Sequence, residues 1–221
     1  MDQVEFAAVR RAPVETLLLG LVLVAAFHAM PDWLVSFLPA QELYNRLGKN
    51  GFYTLYDALS GLMPLLLCLS RPVRAGLGPG HWQGRTWKTL GVCALPIVLT
   101  AAIYPLTSRP FMGKHVGIWL VSPAAQDLLF TGYLYPVFGE AFPGRVFSRI
   151  DVQRAIPIIA PFFALWHLPN FAGMPIGYVA FQLAYVFIGG AWVLLARQMT
   201  GSIWPGVLTH MAVNFIAWRG W

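Results

Sequence analysis

Apolar residues along this chain come in long runs, not in the alternation of a half-buried strand or the narrow stripe of a surface helix. Seven runs approach the length of about 20 residues that a lipid-spanning helix needs. They cover 14–31, 52–70, 89–107, 116–138, 155–172, 175–196 and 202–219. Period-2 alternation is lacking, and backbone groups in hydrocarbon must be satisfied within their own segment, so each run predicts a helix. The pattern therefore predicts an all-α polytopic bundle of about seven transmembrane helices. The segment PDWLVSFLPAQELYNRL, 31–47, differs. Trp33, Leu34, Phe37 and Leu38 recur at helical spacing among polar residues, which predicts a helix lying in the interface plane or an extension of the first span.

Two polar connectors punctuate the runs. RPVRAGLGPGHWQGRTWK, 71–88, is rich in glycine, proline and bases; GEAFPGRVFSRIDVQR, 139–154, has some amphipathic character. No internal repeat stands out, and 221 residues suit one structural domain. The chain is 57% hydrophobic and 11% charged, with a mean hydropathy of +0.61. A soluble domain carries about 25% charged residues, so the solvent of this surface is lipid. The net charge of +6 lies between the apolar runs, where bases set topology and meet anionic headgroups; no nucleic-acid partner is expected. With seven spans, Arg10, Arg11, Arg71, Arg74, Arg85, Lys88, Arg145, Arg149, Arg154 and Arg197 share one side. The smaller group, Arg46, Lys49, Arg109, Lys114 and Arg219, takes the other. The positive-inside rule then puts the N-terminus in the cytoplasm. The first run follows Arg10 and Arg11 and ends in HAMPDW, with no small-residue cleavage pattern, so it reads as a retained anchor. Cys68 and Cys93 both fall in apolar runs and read as small core residues, not a disulfide or metal pair.

Ionisable groups inside spans are costly and raise a functional question by default. Here they are Asp57, Asp127, His167 and His210, with His28 and Glu15 nearer an end; the neutral polar residues are Gln126, Thr131, Asn170 and Asn214. His210 and Asn214 are four apart and share a helix face, where both can donate to one point. That is what a developing oxyanion requires, although such a pair also glues helices together. Phe163 and His167 are likewise four apart, and a lone histidine on an apolar face is also a common core residue. Asp127 lies about 16 Å into its span at 1.5 Å per residue. Ionised there, it needs a partner or a wet cavity. Thr131, four residues on, is placed to orient it.

Three helices thus carry an acid, then a histidine, then His-x-x-x-Asn. That order resembles the CAAX protease and bacteriocin-processing family of glutamic-type intramembrane peptidases. The family pattern is Glu-Glu-x-x-x-Arg, Phe-x-x-x-His and His-x-x-x-Asn. The second motif stands here as Phe163-Ala-Leu-Trp-His167 and the third as His210-Met-Ala-Val-Asn214. FTGYL stands where the family commonly has FRGYL, and GSIWPGVLTH precedes the last motif. The likeness covers about residues 116–221, a catalytic core; residues 1–115 read as a membrane scaffold. It implies that a motif-one acid and His167 activate water, while His210 and Asn214 hold the oxyanion, with no cofactor and no metal. It also implies a membrane-anchored or lipidated protein as substrate and a bacterial inner membrane as location.

The first motif departs from the pattern. Gln126-Asp127 replaces the two glutamates and Thr131 the arginine. Gln126 has no basic group. Asp127 has one on a side chain one methylene shorter, and a loss of reach of about 1 Å can cost about 100-fold in rate. Asp127 is then either the working acid of a divergent peptidase, with Phe163, Gln126 and Thr131 in support, or part of an inactive site that binds or regulates a partner. Holding an acid, two histidines and an asparagine at membrane depth favours the first. Two further classes are weaker. A metal hydrolase would use Asp127, His167 and His210, but it lacks a His-Glu-x-x-His helix and leaves Asn214 idle. A proton relay through Asp57 and Asp127 lacks the inverted repeat of transporters.

Overall fold

The computed structural model describes residues 12–80, 86–103, 116–147, 150–169 and 175–219. Asn170 lies outside them, as do Arg10, Arg11, Arg85, Arg109, Lys114 and Arg149. Helix α1 spans Pro13–Ser36. Proline suits its first turn, where the missing N–H costs nothing, and Glu15 accepts the Ala12 N–H at 3.3 Å. Helix α2, Ala40–Ser60, and α3, Leu62–Leu69, follow in near continuity. The segment 31–47 therefore divides. Its first residues extend α1 through Pro31, and 40–47 form a helical stretch that Gly48 breaks with a φ of 67°. A short α4, Pro72–Ala75, ends at Gly76 in the left-handed region, a common helix stop.

Helix α5 spans Thr86–Ile103 and α6 Gly117–Asp127. A π-helical segment, Leu128–Leu134, joins α6 to α7, Tyr135–Ala141, so the chain is helical without a break from Gly117 to Ala141. Strands β1, Arg145–Phe147, and β2, Ile150–Gln153, pair antiparallel with Arg145 opposite Gln153. The connector at 139–154 thus carries a small ribbon that the run pattern did not predict. Helices α8, Ala155–Leu165, α9, Ile176–Thr200, and α10, Trp204–Arg219, complete the order. The protein is an all-α helical membrane bundle, with 84% of the described residues helical. Among the described residues, α1, the stretch Ala40–Leu69 and α9 are long and apolar enough to cross a membrane; α5 and α8 are shorter apolar helices.

The exterior is apolar, and several polar side chains are buried beside the hydrophobic core. Leu18, Val22, Leu66, Val98, Ile188 and Leu208 are exposed, while Thr16, Gln126, Asp127, Thr131, Arg197 and Thr200 are buried. Burying polar groups beneath a greasy exterior is stable only when the exterior faces lipid. The hydroxyls are satisfied locally: Thr16, Thr100, Thr200 and Thr209 each donate to the carbonyl four residues back. The core packs the 117–141 rod against α1, α8 and α9 through Phe27, Leu129, Phe130, Phe138, Ile159 and Leu194. Close approach uses small residues, as is common where no hydrophobic force drives helices together. A Cβ at Gly20 would lie 2.9 Å from Phe162, and one at Gly190 would lie 2.9 Å from Phe163.

One end of the bundle gathers the basic connectors. The buried Arg197 donates to the Arg74 carbonyl at 2.7 Å, Arg74 pairs with Glu140, and Gln198 ties β2 to α9 through Asp151 and Gln153. Ser202 Oγ and Trp204 Nε1 donate to the Gly78 and Leu77 carbonyls, closing the 71–80 connector onto the α9–α10 turn.

Candidate active site

Asp127 closes α6, ten residues and about 15 Å from its start. Its side chain is fully buried. Immediately beyond it the hydrogen-bond ladder changes step. The Leu128 N–H still bonds the Ala124 carbonyl four residues back, whereas the Tyr135 N–H bonds the Phe130 carbonyl five back. Such π turns are rare and concentrate at functional sites. Thr131 and Gly132, both weak helix formers, sit in the widened turn. The Thr131 hydroxyl donates to the Asp127 main-chain carbonyl. It therefore shapes the turn, and the orienting of the carboxylate assigned to it from spacing alone is not what the structure shows.

The carboxylate meets α10, which packs along α6. His210 Nδ1 lies 3.4 Å from Asp127 Oδ2, with side-chain exposures of 11% and 0%. A carboxylate oxygen accepts, so Nδ1–H donates. Asp127 Oδ1 is buried with no hydrogen-bond partner among the described residues. One turn further along α10, Asn214 Nδ2 donates to the Ile118 carbonyl at 3.2 Å, fixing α10 to the start of α6. A primary amide has two N–H groups, so this bond leaves Asn214 a second donor.

Phe163 of α8 forms the dry wall. Its ring centre lies 5.6 Å from the His210 imidazole and 4.6 Å from Phe130. His167 stands just past the end of α8. Its Nδ1 is 3.2 Å from the Phe163 carbonyl; a carbonyl only accepts, so Nδ1–H donates in this contact. The neighbouring Trp166 stacks on Phe27 at 4.1 Å and His28 at 3.6 Å, which locks the chain beside His167 to α1. Gln126 donates to Ser122 Oγ at 3.0 Å, one turn back on its own helix.

The structure thus brings Asp127, His210 and Phe163 into one contact group and puts Asn214 on the same helix as His210. His167 belongs with Phe163 at the end of α8. Elsewhere, Tyr56 donates to Asp32 Oδ1 at 2.7 Å, next to Asp57. Among the described residues, no three His, Cys, Asp or Glu side chains converge as metal ligands. Sequence reasoning missed the π turn, although adjacent Thr131 and Gly132 mark it. It also missed that Cys68 touches this turn, for which no motif exists.

Residues 108–216, about half of the chain, match the family model described as type II CAAX prenyl endopeptidase, Rce1-like. The chain belongs to this CAAX protease family. The family is one of CAAX-type intramembrane proteases, and with its apolar helices the chain is an integral membrane protein. All four motif residues, Asp127, His167, His210 and Asn214, fall within the matched range. Comparison with curated proteins and with solved structures finds no match for the chain.

Proposed function

We propose that the protein is a working intramembrane endopeptidase in which Asp127 and His167 activate water and His210 and Asn214 steady the oxyanion. The observation that carries this reading is the asymmetry of the Asp127 carboxylate. Oδ2 is held by His210, while Oδ1 is buried without a partner among the described residues. Leaving such an atom unpaired costs a few kcal/mol, and a nucleophilic water is the partner that suits it. His167, anchored through Nδ1 on the Phe163 carbonyl, is the second group assigned to this task.

In this mechanism the water oxygen attacks the scissile carbonyl carbon. Its proton passes to the Asp127–His167 base, and the carbonyl π electrons move to the oxygen. His210, protonated and held by Asp127, donates from its second ring nitrogen to that oxyanion, together with the remaining Asn214 N–H. Collapse of the tetrahedral adduct breaks the C–N bond and returns the proton to the leaving amine. The 3.4 Å acid–imidazole distance exceeds the roughly 2.8 Å of a charge-assisted bond; such contacts tighten in the substrate complex. Phe163 excludes water on one side and strengthens these interactions. The substrate class is a protein anchored by a lipid near its C-terminus, in keeping with the family's prenylated CAAX ends.

The test uses purified full-length protein in lipid nanodiscs and an internally quenched, farnesylated CAAX peptide. The wild type cleaves it, and Asp127→Asn, which keeps shape, lowers the rate by about 10²–10⁴. An Asp127→Asn protein as active as the wild type refutes the assignment. A folded wild type that binds the peptide without cutting it establishes the binding alternative.

A further inference from the structure

Two side chains reach the main chain where the helix widens behind Asp127. One is Thr131, on the Asp127 carbonyl. The other comes from the N-terminal half: the Cys68 thiol, fully buried on α3, donates to the Leu128 carbonyl with an S···O distance of 3.1 Å. Gly132 makes that approach possible, since a Cβ there would stand 2.7 Å from Cys68 Sγ. Cys68 therefore occupies the notch that Gly132 leaves in the π turn.

The register of this turn governs the acid. One residue is about 100° of helix rotation, so the change from four-residue to five-residue steps turns α6 relative to α7 by a large angle. Asp127 lies on the α6 side of that change. Were the turn to revert to α geometry with the downstream rod held by its core contacts, Asp127 would swing away from His210. A π turn is intrinsically less favourable than an α turn, so its register depends on tertiary contacts, and those of Cys68 and Thr131 lie at its first two carbonyls.

We propose that Cys68 is a positioning residue: its hydrogen bond to Leu128 holds the π turn in the register that points the Asp127 carboxylate at His210. Only the kinetic consequence of this proposal rests on the catalytic reading above; the geometric one does not. The test is nitrogen NMR of histidine-labelled full-length protein in nanodiscs, with the His210 imidazole signals assigned by their loss in His210→Asn. Cys68→Ala moves the His210 Nδ1 signal, whereas Cys68→Ser, which keeps a donor, leaves it near the wild-type position. A signal unmoved by Cys68→Ala, or moved equally by both variants, overturns the proposal. Should Cys68→Ala fail to fold, Thr131→Val removes the other donor on the same turn and must move the same signal; no movement is equally fatal. In the peptide assay Cys68→Ala lowers kcat by about 10-fold with KM unchanged, and Cys68→Ser recovers most of the loss. If Asp127→Asn cleaves normally, the catalytic reading fails while the His210 signal still decides this one. If Asp127→Asn is dead and Cys68→Ala changes neither kcat nor the signal, the role of Cys68 alone is refuted.

Discussion

Replacing His210 by phenylalanine separates an ion pair from an ordinary interhelical hydrogen bond. Phenylalanine fills the imidazole space beside Phe163 but leaves both carboxylate oxygens of the fully buried Asp127 without a donor. Two unit charges 3.4 Å apart attract by about 5 kcal/mol at an effective dielectric constant near 20. Removing one partner of a buried pair typically costs about 3–5 kcal/mol. A neutral hydrogen bond between membrane helices averages only about 0.6 kcal/mol. The ion-pair reading used in the mechanism therefore predicts a loss of about 3 kcal/mol or more for His210→Phe. It also predicts that the double variant Asp127→Leu/His210→Phe regains most of the loss, because no stranded charge remains. Reversible unfolding in mixed micelles, followed by circular dichroism across increasing dodecyl sulfate, measures both. A loss under about 1 kcal/mol, the neutral-bond scale, with no recovery in the double variant, would refute the ion pair and with it the protonated His210 donor.

Other expectations follow from the same geometry. Asn214→Ala lowers kcat on the peptide by about 10²–10³, the usual cost of an oxyanion donor, with little change in KM; an equal loss in binding would argue for a purely structural asparagine. Gly190→Ala puts a Cβ 2.9 Å from the Phe163 ring and destabilises by about 1–3 kcal/mol, read in the same unfolding assay. Arg197→Met removes the donor to the Arg74 carbonyl, so tryptic cleavage after Arg74 accelerates while the peptide-cleavage KM stays put.

How far the chain could be read depends on which property is local. Lipid as the solvent was legible from composition, since burial preference is carried by each residue independently. So were the helical runs and the pairing of His210 with Asn214, because a spacing of four puts two groups on one face of any α-helix. Asp127 was legible as a buried acid in need of a partner. The hairpin at 145–153 was not, for its strands are too short to show a period. Nor was the break at Gly48, since glycine tolerates both helical and left-handed backbone.

The sequence alone thus determined the medium, the class of fold and the types of group at the site. The tertiary structure decided what those groups do to one another: that His210 bonds the acid, that Thr131 serves the main chain, and that Cys68 from α3 reaches the turn behind Asp127. Spacing along one helix holds only while the ladder keeps its step, and one extra residue in a turn rotates a side chain by about 100°. Which step is kept, and which neighbour a side chain then meets, depends on how closely other helices approach. That closeness is set by gaps such as Gly132 and Gly190 facing Cys68 and Phe163, residues far from them in the chain.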